Sequence, residues 1–582
     1  MIKSATVCSC AVSRRHRSCE SKRGGCRAWT NQHVVRKTRP TFAVIGPGRS
    51  IEIAIKPVVI LHAAKEKKPA LIRTPQSNGT IGGYMRRREF LKLTAGSAAA
   101  TMAPGNLAVA QAALSKINHF VVLMLENRSF DNLLGRLYPK SNTFDGLSGD
   151  EFNLDPAGKP IHVNNLPGMT ADVLSTPDPN PGERWTDINE QLFGVIDPPA
   201  GAIPQMNGFV RNYLKQTKWP AERYDPKRIM HCFLPEQVPV LSQLARQFAV
   251  SDRWFASAPT QTWPNRFFMH AATANGYENN APPHFPYMMP TIFDRLKDMD
   301  PVNGWRIYFH DVPQSSALSR LWRIRHRFTR FSKFQSDAQE ARLPAYAFIE
   351  PDYLSFLGPQ NDQHPPTSVA AGERLIAAVY NALRQSPLWT SSLLIIVFDE
   401  HGGCFDHVPP PAAVPPSLRA SNPFNFDRYG VRVPAVLVSP YIQQGLVLRP
   451  PGDTPFDHTS IVATLRKRFD LGGPLSERDA VAPTFEGVLT LPDPTNMGPE
   501  RIEAPALQPR AASPEAASDP AHMTDLQASL TDLARVLPDP GEEEAHIRRL
   551  EASPERAAPP RLSPRDAGAI IDGNVKRFLG ES

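Results

Sequence analysis

Cysteine is scarce over most of this sequence. Of the six cysteines in 582 residues, only Cys232 and Cys404 lie beyond position 26. This usage predicts no disulfide framework. The other four could form a small metal knuckle, but their spacing matches no paired C-x-x-C motif, which favours an unstructured or upstream extension. These four are Cys8, Cys10, Cys19 and Cys26.

A long hydrophobic run is also missing. A helix that crosses a bilayer needs about 20 mainly apolar residues, whereas the stretch Leu93 to Ala103 is short and rich in Ala, Gly and Thr. It follows the segment R-R-R-E-F-L-K at 86–92 and precedes the sequence A-V-A at 108–110. A charged region, a short apolar region and an A-x-A site are typical of a cleaved export signal rather than a permanent membrane anchor.

The R-R-x-F-L-K core of this segment resembles the twin-arginine export signal. We therefore predict that Met85 is the functional start, that residues 1–84 are an upstream or disordered extension, and that residues 85–110 are the signal. The mature protein would begin near Gln111, in the periplasm or secreted, and the export machinery would be one partner. A surface helix that happens to carry three arginines is the alternative interpretation.

A basic groove interleaved with aromatic residues is likewise absent. The net charge is +8 and the pI is near 9.1, but the basic residues concentrate in the first ninety positions, in runs such as Arg14-Arg15 and Arg86-Arg87-Arg88. The excess charge is thus a property of the amino terminus. We predict no nucleic-acid partner for the main body.

The main body alternates apolar runs with helical patterns. Runs at 119–125, 346–349, 393–398 and 435–439 are apolar at nearly every position, as in strands buried on both faces. Helical patterns occupy 239–248, 368–386 and 460–469. This alternation predicts an α/β fold with a mostly parallel central sheet flanked by helices. The 60 prolines predict long loops.

The composition changes near residue 498 to Ala, Pro, Glu and Arg, with amphipathic stretches at 523–536 and 566–578. We predict a catalytic domain at 111–497, followed by a linker and peripheral C-terminal helices at 498–582.

Two polar pairs follow predicted strands. Glu126 and Asn127 come directly after the first run, and Asp399 and Glu400 come directly after the run 393–398. Ligands bind beyond the carboxyl ends of strands in such sheets. Carboxylate and amide oxygens are ligands for hard divalent cations, although an ordinary cap is the commoner role of a single Glu-Asn pair.

Hydroxyl and imidazole groups lie in other loops. Thr262 precedes the P-N-R sequence, which makes it a candidate nucleophile with a phosphate clamp beside it. Taken alone, that segment is a turn. Histidines in polar loops can neutralise a phosphate or protonate a leaving alcohol. The candidates in these loops are Asn265, Arg266, His364, His401, His407 and His458.

Five motifs in this order resemble the phosphoesterase family that contains bacterial and plant phospholipases C and acid phosphatases. They are E-N-R-S-F-D at 126, T-x-P-N-R at 262, N-D-x-H-P-P at 361, D-E-H-G-G-x-x-D-H at 399 and H-T-S at 458. The resemblance covers about residues 118–491. It implies an alkaline-phosphatase-like core with one metal ion on Glu126, Asn127, Asp399 and Glu400, and it implies that Thr262 is the nucleophile.

The resemblance also implies a chemistry. Thr262 would form a phospho-threonine intermediate, with His364, His401 and His458 as further catalytic residues and Asn265, Arg266 and His407 binding phosphate. The ligand set favours Mg, Ca or Mn. The substrate would be a phospholipid, with transient contact at a membrane surface, or a soluble phosphate ester cleaved by an acid phosphatase or phosphodiesterase. A non-catalytic, exported anion-binding protein is a third hypothesis.

Overall fold

The computed structural model describes residues 104–280, 285–354, 360–417, 424–507, 523–552 and 562–581. The predicted extension at 1–84 and the arginine motif at 86–92 lie outside the described residues. The described α-helices are α1 Pro104–Lys116, α2 Phe130–Leu134, α3 Ala171–Leu174, α4 Trp185–Phe193, α5 Phe209–Leu214, α6 Pro226–Ile229, α7 Pro239–Gln247, α8 Thr262–Ala271, α9 Ile292–Met299, α10 Phe331–Gln339, α11 Val369–Arg384, α12 Thr459–Phe469, α13 Glu477–Val481, α14 Asp525–Val536, α15 Glu543–Glu551 and α16 Pro564–Leu579.

Within the described residues, ten strands form two sheets. The strands are β1 His119–Leu125, β2 Phe152–Leu154, β3 Pro160–His162, β4 Ala249–Ser251, β5 Trp305–Phe309, β6 Phe328–Arg330, β7 Tyr346–Glu350, β8 Ser392–Phe398, β9 Ala435–Val438 and β10 Leu446–Leu448. Strands β2 and β3 pair with each other, and the large sheet has the order β10-β4-β9-β8-β1-β7-β5-β6. The predicted α/β fold class with a mostly parallel sheet is confirmed.

Strand β9 is the exception in the large sheet. It runs antiparallel to both neighbours, β8 and β4, whereas β8, β1, β7, β5 and β6 all run parallel. The carboxyl end of β9 therefore lies at the opposite edge from the carboxyl ends of β1 and β8. The residues that precede β9, rather than those that follow it, reach the edge where β1 and β8 end.

The centre of the sheet is buried on both faces. Every residue of β8 is buried, as is every residue of β1 after His119, which explains the unbroken apolar runs in the sequence. Helix α11 packs against β8 and α7 through apolar side chains three and four residues apart, including Ile376, Val379, Tyr380 and Leu383.

The C-terminal helices join the same core. Leu526 and Leu530 of α14 and Val575 and Phe578 of α16 belong to the apolar cluster that contains the central strands. Helix α14 begins with a capping box, because the Thr524 hydroxyl accepts from the Gln527 backbone N–H while the Gln527 side chain accepts from the Thr524 N–H. These helices are therefore part of the folded body.

Helix α1 extends across the predicted cleavage position, since it begins at Pro104 and ends at Lys116. Its Ala113 and the following Ile117 are fully buried. Among the helices in the described parts of the chain, none combines the length and the apolar character needed to cross a bilayer.

Candidate active site

The two polar pairs predicted from the sequence lie side by side. In the parallel pairing of β1 with β8, Leu125 is opposite Phe398, so the residues that follow each strand meet at one edge of the sheet. The four side chains are all fully buried: Glu126, Asn127, Asp399 and Glu400. Three buried carboxyl groups beside one amide make an unusually acidic cluster for a protein interior.

Asn127 connects the residues that follow β1 to those that follow β8 through two hydrogen bonds. Its N–H donates to Asp399 Oδ1 at 2.9 Å, and its side-chain Nδ2 donates to Glu400 Oε1 at 2.9 Å. The residue has a left-handed φ of 53°, which asparagine tolerates better than most residues. Gly402 passes so close that a Cβ there would lie 2.3 Å from the Asn127 carbonyl oxygen. The two glycines of the D-E-H-G-G motif thus permit a close approach of backbone.

Thr262 reaches this cluster from a distant part of the chain. It is the first residue of α8, and its hydroxyl donates to Glu126 Oε2 at 3.2 Å and lies 3.4 Å from Asn127 Oδ1. The amino end of a helix favours negative charge. The hydroxyl predicted as nucleophile is therefore placed beside the predicted metal ligands, at a position suited to an oxyanion.

The P-N-R residues have two different roles. The Asn265 amide is engaged by the loop itself, because Oδ1 accepts from the Ala258 N–H at 3.0 Å and Nδ2 donates to the Thr260 carbonyl at 3.0 Å. In this arrangement the Asn265 amide holds the loop in shape, and its role in binding phosphate stays a prediction. Arg266 donates to Glu126 Oε1 at 2.6 Å. The Nε and Nη1 atoms of Arg266 are buried and have no hydrogen-bond partner among the described residues, so they could donate to a ligand.

Burial and mutual repulsion dominate the electrostatics of the cluster. Burial, followed by the charge of Glu126, raises the pKa of Asp399 well above its usual range. Burial, followed by the charge of Glu183, does the same to the pKa of Glu400. For Glu126, burial is outweighed by Arg266 and the other partners, so its pKa is lowered. The positive charge of Arg266 does not neutralise the negative charge that these carboxyl groups would carry together when ionised.

The donor set fits a hard divalent cation. Asp399 Oδ2 is buried and has no hydrogen-bond partner in the described part of the chain, although an unsatisfied buried polar atom is costly. The neighbouring ligand atoms are carboxylate and amide oxygens, which Mg, Ca and Mn prefer. A cation here would satisfy the unpartnered oxygen and reduce the repulsion.

Among His364, His401 and His458, His364 is the one best suited to carry a proton. Its Nδ1 donates to the Pro365 carbonyl at 2.8 Å, which directs Nε2 to Glu183 Oε2 at 3.3 Å. Burial alone would lower the pKa of His364, but the hydrogen bond and charge of Glu183 raise it to about 9. His364 is therefore protonated at neutral pH.

Glu183 is a site residue that the sequence motifs did not identify. It lies in a Pro-rich loop, is 5% exposed, and accepts a hydrogen bond from Asn127 Nδ2 at 2.7 Å. Gln261 Nε2 donates to its other oxygen at 3.4 Å. No strand ends at this loop, so the sequence gives no signal that places Glu183 at the site. Its position is seen only in the folded structure.

His401 and His458 are buried at the same edge. His458 Nε2 donates to the Asp399 carbonyl at 2.6 Å, and His401 lies between Glu400 Oε2 at 3.2 Å and Gln191 Oε1 at 2.9 Å. Burial lowers the pKa of His458 to about 4 and that of His401 to about 3. Both are thus neutral near pH 7, which suits orientation of neighbouring groups better than proton donation.

His407 lies in a separate polar cluster. Its Nδ1 is 2.6 Å from Asp131 Oδ2, and Arg432 bridges Asp131 at 2.9 Å and Asp406 at 3.0 Å. The potential ligand atoms of Asp131, Asp406 and His407 lie within 4.8 Å of one another and could hold a metal ion. Arg432, however, already supplies a positive charge to both carboxylates. The hydrogen bonds of His407 go to Asp131 and Asp145, and its role in binding phosphate stays a prediction.

Comparison with known proteins identifies relatives of this arrangement. Non-specific phospholipase C1 of Arabidopsis thaliana is 39% identical over 447 residues, which cover 72% of this chain and 79% of the relative. Non-specific phospholipase C6 of the same plant is 36% identical over 493 residues, with coverages of 80% and 88%. Phospholipase C A of Mycobacterium tuberculosis is 28% identical over 491 residues, with coverages of 73% and 88%.

Among solved structures, the lipoteichoic acid synthase LtaP from Listeria monocytogenes matches 44% of this chain and 70% of its own, with 13% identity and a TM-score of 0.27. The sequence model of the Phosphoesterase family matches residues 117–472. This match spans more than half of the chain and contains Glu126, Thr262 and Asp399. The chain therefore belongs to the Phosphoesterase family and is a hydrolase that acts on phosphate ester bonds.

Proposed function

We propose that this protein is an exported phospholipase C that cleaves glycerophospholipids into diacylglycerol and a phosphorylated head group. The observation that carries the proposal is the position of the Thr262 hydroxyl, 3.2 Å from Glu126 Oε2 and 3.4 Å from Asn127 Oδ1. The names of the relatives, non-specific phospholipase C and phospholipase C, support the same activity.

One divalent cation, Mg, Ca or Mn, would be held by Glu126, Asn127, Asp399 and Glu400. Such an ion would lower the pKa of a neighbouring hydroxyl and offset negative charge that develops on phosphate. The residues of the chain supply the remaining chemistry.

Thr262 is the nucleophile in this proposal. The Thr262 hydroxyl loses its proton to solvent and its oxygen attacks phosphorus in line. The bond between phosphorus and the glycerol oxygen breaks, and a phospho-threonine forms. Arg266 Nε and Nη1 are buried donors for the phosphoryl oxygens. His364 gives its Nε2 proton to the departing diacylglycerol oxygen. Water then gives one proton to His364 Nε2 and attacks phosphorus. The bond between phosphorus and the Thr262 oxygen breaks, that oxygen takes a proton from solvent, and the phosphorylated head group leaves.

Mixed micelles of phosphatidylcholine test the proposal directly. Purified protein should release diacylglycerol and phosphocholine in equal amounts, and should do so faster than it hydrolyses a soluble aryl phosphate. An acid phosphatase with the same catalytic residues would instead prefer the aryl phosphate and leave the micelles intact, and that result would replace the lipid substrate by a soluble one.

Glu183 keeps His364 protonated, so its removal should change the pH dependence. Glu183→Gln is expected to lower kcat at pH 8 by roughly tenfold to a hundredfold, because the pKa of His364 falls from about 9 when its anionic partner is lost. The fall in activity with rising pH should then begin at a lower pH than in the parent enzyme. A kcat–pH profile from pH 5 to 10 measures both effects.

Glu190→Gln is a matched control, because Glu190 is also 5% exposed but pairs with Lys215. Its pH profile should stay that of the parent. If Glu183→Gln also keeps the parent profile, His364 does not depend on Glu183 for its proton.

Export is the second part of the proposal. Replacing Arg87 and Arg88 together by Lys should leave the protein in the cytoplasm, because the export receptor reads the arginine pair and not charge alone. Cell fractionation followed by immunoblotting measures this, and replacing Lys92 by Arg is a control that keeps the pair. If the double variant is still exported, another segment directs targeting.

A further inference from the structure

Gln314 is a buried residue that contacts the carboxylate cluster of Glu126, Asp399 and Glu400 from outside the five sequence motifs. It begins the short 3-10 helix Gln314–Ala317 and is 2% exposed. Its Nε2 donates to Glu126 Oε1 at 3.0 Å. The Gln314 side chain therefore holds one oxygen of a predicted metal ligand.

The two carboxylate oxygens of Glu126 have different partners. Oε1 accepts from Arg266 Nη2 at 2.6 Å as well as from Gln314, whereas Oε2 accepts from the Thr262 hydroxyl at 3.2 Å. Two donors on Oε1 restrict rotation of the carboxylate, because turning it would break both hydrogen bonds. Oε2 is thereby kept on the side of the proposed nucleophile.

Gln314 also limits how Arg266 pairs with Glu126. Pairs of arginine with a carboxylate are frequently bidentate, but here Nη2 makes the contact with Glu126 and also donates to the Met124 carbonyl at 3.3 Å. Arg266 Nε and Nη1 keep no partner among the described residues. Without Gln314, the carboxylate would be free to turn toward Arg266, which would draw Oε2 away from Thr262.

The segment that carries Gln314 is itself anchored to the sheet. The backbone N–H and the hydroxyl of Ser315 both donate to Glu350 Oε1 at 2.8 Å. Glu350 is fully buried and is the last residue of β7, which pairs in parallel with β1. Since β1 leads directly into Glu126, Gln314 is fixed to the same edge of the sheet as the carboxylate that it holds.

The same segment contacts the helix that presents the nucleophile. Ser315 Oγ lies 3.3 Å from His270 Nε2. Thr262, Arg266 and His270 follow one another at intervals of four residues and therefore lie on one face of α8. Residues 314–315 thus connect α8, the end of β7 and Glu126.

We propose that Gln314 is a positioning residue, which holds Glu126 so that Oε2 is directed to the Thr262 hydroxyl and to the cation of the carboxylate cluster. It acts through Glu126. Losing a hydrogen bond of this kind to a metal ligand typically costs about 10–100-fold in metal affinity or activity. This inference rests on the proposed metal-dependent attack by Thr262, but it does not depend on whether the substrate is a lipid.

Gln314→Met tests the proposal, because it removes the donor while keeping a side chain of similar length. Binding of Mn²⁺ to the chelated full-length protein, measured from the electron paramagnetic resonance signal of the free ion, should weaken by about tenfold or more. The value of kcat/KM for a soluble aryl phosphate at saturating Mn²⁺ should also fall by about tenfold or more. The first measurement does not involve catalysis.

Gln314→Asn is a second variant for the case that the methionine variant does not fold. It keeps a buried amide but is one methylene shorter, so it withdraws the donor from Glu126 and should give the same two losses. A thermal melt establishes that each variant is folded.

Gln237→Met is the matched control, because Gln237 is also 2% exposed. Its Nε2 donates to the Leu166 carbonyl at 3.0 Å and its Oε1 accepts from the Leu234 N–H at 2.9 Å, contacts that do not include the carboxylate cluster in the described structure. This variant should lose stability but keep the Mn²⁺ affinity and the kcat/KM of the parent.

Parent values in a folded Gln314 variant would overturn the proposal, and so would an equal loss in Gln237→Met. A parent protein that binds no Mn²⁺ would refute both the proposed metal site and the role of Gln314. If instead the Gln314 variants lose Mn²⁺ affinity as expected while mixed micelles are not cleaved, the lipid substrate is wrong and the role of Gln314 stands.

Discussion

Replacing Thr262 by valine is expected to lower kcat by roughly a thousandfold or more, because the substitution removes the nucleophilic oxygen at nearly constant volume. The hydroxyl makes only long contacts, of 3.2 and 3.4 Å, so its loss should cost stability about 1 kcal/mol. Steady-state kinetics on a soluble aryl phosphate and a thermal melt measure the two effects separately.

Thr260→Val is the control for this experiment. Thr260 is buried in the same loop, but its hydroxyl accepts from Asn265 Nδ2 at 3.3 Å and has no contact with the carboxylate cluster in the described structure. Its loss should change kcat by less than about tenfold. If Thr260→Val is inactive and Thr262→Val is active, the nucleophile has been misassigned by two residues. If both are active, water attacks phosphorus directly.

Chelation is expected to abolish activity, and added Mg, Mn or Ca should restore it. Without a cation, Glu126, Asp399 and Glu400 are buried with Arg266 as the ion-paired cation among the described residues, which is an unfavourable arrangement. The same ion should therefore raise the melting temperature of the chelated protein, since a ligand that binds only the folded state stabilises it. Full activity at negligible metal content would refute metal dependence.

The position of the ion can be tested with two variants. Asp399→Asn should lose bound metal in elemental analysis, whereas Asp406→Asn should retain it, because Asp406 already pairs with Arg432 at 3.0 Å. The opposite result would place the ion in the cluster of Asp131, Asp406 and His407. Circular dichroism establishes that each variant is folded before its metal content is compared.

The central strands could be predicted from the sequence because they are long and buried on both faces. The runs at 119–125 and 393–398 correspond closely to β1 and β8. Strand β10 has only three residues, too few to set up a recognisable pattern. The direction of β9 was also beyond prediction, since an apolar run of four residues looks the same in either orientation.

The site residues that could be predicted from the sequence are those that come directly after a strand. Glu126 and Asp399 are such residues, and the pairing of β1 with β8 brings them together. Glu183 lies in a loop far from any strand of the large sheet along the sequence, so its position in the site depends on tertiary folding. The contact with Glu183 that raises the pKa of His364, and the burial that lowers the pKa of His458, are likewise properties of the folded chain.

The antiparallel direction of β9 determines where the chain can accept insertions next to this strand. Because β9 enters the sheet from the active-site edge, the residues before Ala435 include Arg432, which bridges Asp131 and Asp406. The residues after Val438 emerge at the far edge of the sheet. Insertions at the exposed residues 443–445 would therefore lie away from the carboxylate cluster, whereas insertions directly before β9 would displace a buried arginine. We expect the exposed segment 443–445 to accept an attached tag or second domain.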